Sequence, residues 1–156
     1  MGRIYTSVFN NVAVTAAQDL FELVAPADSV VILHDIHIGQ NTDVGDAAEE
    51  LLRIELNSGY TTSGSGGSAG TAVPIDTGDA AFGGTLEINN TTLASAGTIV
   101  THSVWIWNVR GTLDRIFTPE TRLIVTPSRR VCVRLPSAPA DSLTMSGSIT
   151  FEEIGG

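Results

Sequence analysis

Lysine is missing from this chain of 156 residues: all 8 basic side chains are arginine, set against 17 acidic ones for a formal net charge of −9. Binding to a phosphate backbone draws its affinity from clustered cations that release counterions. An acidic chain without lysine therefore points away from nucleic acid, and equally from an anionic membrane surface. Each cation is instead a planar fork suited to bidentate pairing with carboxylates. Charged residues are scarce at 16%, below the usual quarter or so. A surface that poor in charge is either made of Ser, Thr, Asn and Gly or covered by something else. Cysteine occurs once, at Cys132, so no internal disulfide forms. In Val131-Cys132-Val133-Arg134-Leu135 it reads as a small hydrophobe in a strand. Aromatic residues at 6% are thin for a sugar-binding groove. No apolar run reaches the length of a membrane helix. Asn10 and Asn11 interrupt the only candidate signal-peptide core.

Helical periodicity is also lacking, and a period of two replaces it. From Leu143 the residues Leu143, Met145, Gly147, Ile149 and Phe151 share one parity, while Thr144, Ser146, Ser148, Thr150 and Glu152 share the other. Such alternation buries one face of a strand and wets the other. Similar patterns place strands near 3–9, 19–25, 30–39, 51–57, 85–89, 98–109, 122–126, 130–135 and 143–152. Short strands cut by turn residues indicate an all-β fold, an antiparallel β-sandwich of jelly-roll type, rather than a parallel α/β sheet. A chain of this length makes one domain, residues 1–156, and buries roughly 70% of the surface its unfolded form exposes. One short helix is expected after Asp46, with Glu49 completing a capping-box-like start. Residues 58–84 stand apart: they contain Ser63-Gly64-Ser65-Gly66-Gly67-Ser68-Ala69-Gly70 and few charges beyond Asp76 and Asp79. They read as a flexible loop, or as an arm that orders on a neighbour, with Tyr60, Val73, Ile75 and Phe82 as apolar anchors.

Several motifs spell chemistry without supplying its context. Gly66-Gly67-Ser68-Ala69-Gly70 matches a nucleophile elbow, but that device needs a strand before the serine and a helix after it, and Pro74 stands where the helix would run. Gly64-x-Gly66-x-x-Ala69 likewise lacks the βα setting of a dinucleotide site. His34, Asp35 and His37 could serve a metal, with His102 far away in sequence; on a regular strand His34 and His37 would diverge to opposite faces. Asn41, Asp43, Asp46 and Glu49 offer hard oxygens for calcium, and equally suit caps and Asx turns. Met1-Gly2-Arg3-Ile4-Tyr5-Thr6 matches a myristoylation pattern, and Asn89 and Asn90 head overlapping glycosylation sequons. None of these sets defines a catalytic residue, a metal site or a cofactor site, and the chain reads as a non-enzyme.

Trp105 and Trp107 share one parity of a strand while Val104 and Ile106 share the other. Two apolar faces imply a strand covered on both sides. The tryptophans are inter-sheet core, or interface anchors, where Trp is over-represented among binding hot spots, or, third, a carbohydrate platform. Tyr60 and Phe82 are further candidate interface anchors, and Arg129 and Arg130 are candidates for polar contacts to an acidic neighbour.

The order of features resembles the small all-β virion proteins of tailed bacteriophages. The likeness is carried by Asp19-Leu20-Phe21-Glu22-Leu23, His37-Ile38-Gly39-Gln40 leading into Asp43-Val44-Gly45-Asp46-Ala47-Ala48-Glu49, the Gly/Ser-rich arm, Thr118-Pro119-Glu120, and the terminal Ser146-Gly147-Ser148-Ile149-Thr150-Phe151-Glu152-Glu153. The resemblance implies a capsid decoration or cement protein on the shell exterior, made in the bacterial cytoplasm. Its partners would be the major capsid protein and copies of itself, with a trimer favoured, and no nucleic acid or membrane. Similar modules occur in head fibres and tail tips, where a carbohydrate- or receptor-binding role is the alternative. A small esterase using Ser68 is a further competitor, as is a bacterial β-sandwich with no virion role.

Overall fold

The structure, a computed structural model, describes residues 2–41 and 49–155. Among the described residues the chain forms twelve strands and no helix. These are β1 (Arg3–Val14), β2 (Gln18–Val24), β3 (Ser29–Gln40), β4 (Leu51–Thr62), β5 (Ser68–Ala69), β6 (Val73–Pro74), β7 (Thr85–Asn90), β8 (Ser95–Asn108), β9 (Leu113–Ile116), β10 (Ile124–Val125), β11 (Arg130–Leu135) and β12 (Leu143–Gly155). Of the helix expected after Asp46, the residues up to 48 lie outside the described residues; Glu49 and Glu50 are not helical, and Leu51 and Leu52 open β4 instead.

Two antiparallel sheets face one another as a β-sandwich. The first runs β10-β3-β12-β1-β6, with β9 also paired to β3; the second runs β5-β7-β2-β11-β4-β8. The pairing is nested: β1 pairs with β12, β2 with β11 and β4 with β8, while β3 takes β9 and β10 on its free side. Consecutive strands β1 to β4 alternate between the sheets. The C-terminal alternation does what its parity requires, since Leu143, Met145, Ile149 and Phe151 are all buried. Between the sheets Phe9 on β1 meets Phe21 on β2 with ring centroids 5.2 Å apart. A second aromatic group joins Tyr5, Phe82 and Phe151, with centroids 5.5 Å, 5.7 Å and 4.9 Å apart.

The strands run longer than alternation alone indicates, because bulges carry them past breaks in the pattern. β1 continues through a bulge between Phe9 and Val12, where Asn11 takes a φ of 54°. β4 continues past Asn57 to Thr62 through two register shifts against β8. Gly59 permits this: its φ is 92°, and a Cβ there would sit 1.9 Å from the carbonyl oxygen of Thr98.

Residues 58–84 differ from the free loop or arm anticipated for them: 58–62 continue β4, and 63–84 are tied to both sheets. β5 pairs with β7 and β6 pairs with β1, so the segment crosses from the edge of one sheet to the edge of the other. Phe82 inserts into the Tyr5–Phe151 group, and the Tyr5 hydroxyl donates to the Ala80 carbonyl at 2.9 Å. Composition alone cannot reveal this, because the glycines that mark a flexible linker also allow close backbone approach. Phe82→Ala is expected to lower unfolding stability by roughly 2–4 kcal/mol and to open 63–84 to limited proteolysis. Denaturant unfolding and protease mapping check this, and an unchanged midpoint with an intact segment would contradict the docking.

Candidate functional site

The most organised polar cluster lies on the outer face of the second sheet, beneath the β4 extension and the β7–β8 turn. Asp19 and Arg134 are cross-strand partners on β2 and β11, so their side chains leave the sheet on the same side. Arg134 grips Asp19 with both arms, Nε to Oδ1 at 2.6 Å and Nη2 to Oδ2 at 3.0 Å. The same pair holds both backbone groups of Ala94: its N–H donates to Asp19 at 2.7 Å and its carbonyl accepts from Arg134 at 2.8 Å. The guanidinium lies 4.4 Å from the centroid of the Tyr60 ring. Beside it Glu22 accepts from the Ser63 hydroxyl at 2.6 Å, the Gly64 N–H at 2.9 Å and the Asn90 amide at 3.0 Å. Arg130 approaches Glu22 at 2.5 Å as an ion pair. Cys132, between the two arginines in sequence, packs with Tyr60 and Ala94.

Asp19, Glu22 and Cys132 stand close enough to bracket an ion. Their chemistry argues for a structural role instead. Both carboxylates already receive donors on each oxygen, and two arginines compensate their charge. Burial, with Asp19 and Glu22 adding to it, pushes the Cys132 thiol above its ordinary pKa. The cluster fastens the β4 extension and the β7–β8 turn onto the sheet.

On the outer face of the first sheet the histidines are arranged differently from the regular-strand expectation. A register shift leaves His34 as an extra residue opposite Thr150 and Phe151, with Leu33 and Ile36 both buried. His34 and His37 therefore lie on the same face rather than opposite ones. They still do not converge on one point. His34 is bonded to Glu152 at 3.1 Å, whereas His37 sits 2.7 Å from Asp114 and 3.4 Å from Asp35. His102 is elsewhere, 2.7 Å from the Ser58 hydroxyl. The bond from His37, then one from Thr112, holds the Asp114 carboxyl below the usual aspartate range. A shallow depression of about 340 Å³ runs past His37, Asp114, Gln40 and Ser146. Of the calcium set, Asp43 and Asp46 lie outside the described residues; Asn41 is bonded to Asn11 and Ser146.

The remaining sequence-derived candidates separate into core and surface. Ser68 lies in β5 on a sheet edge and is followed by β6, not by the helix that a nucleophile elbow requires. Asn89 and Asn90 are buried and hydrogen-bonded, so neither sequon is presented. Of the candidate interface anchors, Trp107 and Tyr60 are buried and Phe82 is half-buried, packed against the core. Trp105 is half-buried, 6.3 Å from the ring of Phe117 and covered by Arg115 at 5.6 Å. No tryptophan pair faces solvent as a sugar platform would require. Arg130 is committed to Glu22, and Arg129 alone of the two is exposed. The tryptophan face of β8 thus belongs to the core. Its other face does not: Val104 is 51% and Ile106 63% exposed. β8 is also the terminal strand of its sheet, bonded to β4 on one side only. These residues, on the parity opposite the tryptophans, are the ones that motif reading passed over. Their signal was the apolar second face.

No protein-family model and no curated protein matches this chain. Among solved structures, the chain is similar to one in a structure of infectious bursal disease virus Gx strain, with 14% identity over 99% of this chain and 41% of that chain, at a TM-score of 0.23. A second similar chain is in a 2.6 Å structure of T=1 particles derived from infectious bursal virus, with 12% identity over 99% of this chain and 40% of that chain, at a TM-score of 0.18. This chain thus spans about two fifths of the length of either. At those TM-scores the likeness fixes neither fold nor function.

Two outcomes follow from this geometry. Arg134→Met should cost about 3 kcal/mol, because it strands the buried Asp19 carboxylate, and Asp19→Leu added to it should recover part of that loss. Urea unfolding of the two variants decides; no loss in the single variant would show the pair to be energetically idle. The Asp114 carboxyl should titrate below the ordinary value of about 3.9. A lowered folded-state pKa contributes stability that is present above the unfolded value and fades as pH falls through the folded one. Carboxyl chemical shifts followed against pH test this, and His37→Ala should return Asp114 towards the ordinary value.

Proposed function

We propose that this chain is a non-enzymatic structural protein of a virus particle, a jelly-roll decoration or cement protein that sits on the exterior of a bacteriophage head. It binds there across junctions of the major capsid protein, as a homo-oligomer. The observation that carries this reading is β8, a strand of 14 residues in which the fold covers Trp105 and Trp107 while Ile99, Val100, Val104 and Ile106 stay exposed. Free-standing proteins shorten, charge or cover such edges to prevent association. A long uncharged edge left open indicates a surface that meets a partner.

The rest of the molecule supports the same role. The nested strand order, first with last and second with next-to-last, suits the jelly roll anticipated from alternation. Buried ion pairs fasten its longest overhang to the sheet, which favours a stiff wedge. A net charge of −9 suits the outside of a shell better than a lining against packaged DNA. Modest contacts repeated around a symmetric particle add up through avidity. The half-buried Trp105 and buried Trp107 favour this over a carbohydrate-binding tip.

Purified protein mixed with bare phage shells should co-sediment and saturate at a copy number set by lattice symmetry. Val104→Glu with Ile106→Glu should reduce that binding at least tenfold without unfolding the domain. Failure to bind shells of any closely matched phage would overturn the reading.

A further inference from the structure

The two narrow flanks of the sandwich carry opposite chemistry. On one flank β8 ends the second sheet while β9 and β10 end the first, and the contacts of Trp105 with Phe117 and Arg115 show that these edges lie side by side. This flank exposes Ile106 at 63%, Ile116 at 78% and Ile124 at 58%. Arg115 and Arg129 are exposed there, and Arg122 is half-buried in the turn before β10. Among the described residues of this flank, Glu55 and Arg53 pair with one another at 3.0 Å, Asp114 pairs with His37 at 2.7 Å, and Glu120 is exposed. On the opposite flank β5 and β6 end the two sheets, joined by the short link between them. That flank exposes Val73 at 50% and Ile75 at 62%, beside the carboxylates of Asp76 and Asp79. The nearest cation, Arg3 on β1, is already paired with Glu153 at 3.2 Å.

We propose that these two flanks bind one another between copies of this chain, the basic β8–β9–β10 flank of one against the acidic β5–β6 flank of the next, in a closed head-to-tail ring. The proposal rests on the self-assembling role above, but it does not require a shell. Charge complementarity selects the occupant. Apolar patches on both flanks supply area, and arginine against aspartate sets register and rejects the wrong approach. A twofold pairing of this flank with itself would bring the Arg115 and Arg129 sets of two copies together and leave Val73 and Ile75 uncovered. A head-to-tail joint covers both patches, and such joints generate rings when the rotation closes.

The test uses the full chain without capsids, by native mass spectrometry and light scattering at about 100 µM, where a micromolar joint is saturated. The wild type should form one discrete species of more than two copies that loosens as salt rises. Arg115→Glu with Arg129→Glu makes both flanks acidic and should yield monomer; Asp76→Arg with Asp79→Arg makes both basic and should do the same. Mixed in equal amounts, the two variants should associate again, each with the other. Arg115, Arg129 and Asp76 are exposed and Asp79 is half-buried, and an unchanged circular dichroism spectrum verifies folding. A monomeric wild type overturns the proposal, and so does an oligomer whose mass neither variant changes. Shell binding is read separately by co-sedimentation, so loss of the ring joint and loss of the capsid role are told apart.

Discussion

Every strand that ends a sheet presents a row of N–H and C=O groups with no partner in the fold, and a sandwich of two open sheets has four such rows. The architecture here can be understood as four different treatments of that constraint. β5 and β6 are two residues each, and β6 contains Pro74, which has no N–H to offer. β9 and β10 share one side of β3 in short pieces of four and two residues. β8 receives none of these protections. It runs the full length of the second sheet, lacks any charge of fixed sign, and keeps isoleucine and valine on its open face. Three edges are blunted and one is kept, which is why the functional reading centres on that flank.

The buried ion pairs follow from the same layout. Because β4 and β8 overrun the sheet, their overhang folds across the outer face, and polar side chains that would meet water there become enclosed. Desolvating Asp19 and Glu22 is costly unless their charge and lone pairs are met, and Arg134, Arg130, Ser63, Gly64 and Asn90 meet them. A network in which every carboxylate oxygen is met by a donor admits few alternative arrangements. It therefore sets where the overhang lies more than it adds to net stability. The absence of lysine acquires a meaning at this site, since the planar fork of Arg134 holds Asp19 at both oxygens and stacks on Tyr60 at once. A point-charge ammonium could not do both.

Much of the all-β class, the strand positions and the inward parity of Leu143 to Phe151 was legible in residue order, because a period of two is a local property of the backbone. β11 appears where its pattern places it, at Arg130–Leu135. β9 was missed, as was the docking of 63–84, because Leu113–Ile116 is too short to alternate visibly and glycine-rich runs look alike whether free or paired. The bulge at His34 reversed the facing of His34 relative to His37, and nothing in the neighbouring residues marks an inserted position. The candidate anchors fared unevenly for one reason: Tyr60, Phe82 and Trp107 are large and apolar, and apolarity cannot say whether the cover comes from the same chain or another.

Residue order by itself determined that this chain is β-structured, acidic, free of disulfides, and equipped with a strand apolar on both faces. Each of these depends on composition or on neighbours within a few positions. Which face of β8 is buried, which carboxylates find arginines, and that basic and acidic residues segregate to opposite flanks were decided only in three dimensions. Those outcomes depend on pairings such as Asp19 with Arg134 and β1 with β12, between residues more than a hundred positions apart. Local sequence carries no record of such partners, because sheet register is chosen by the whole set of strands together.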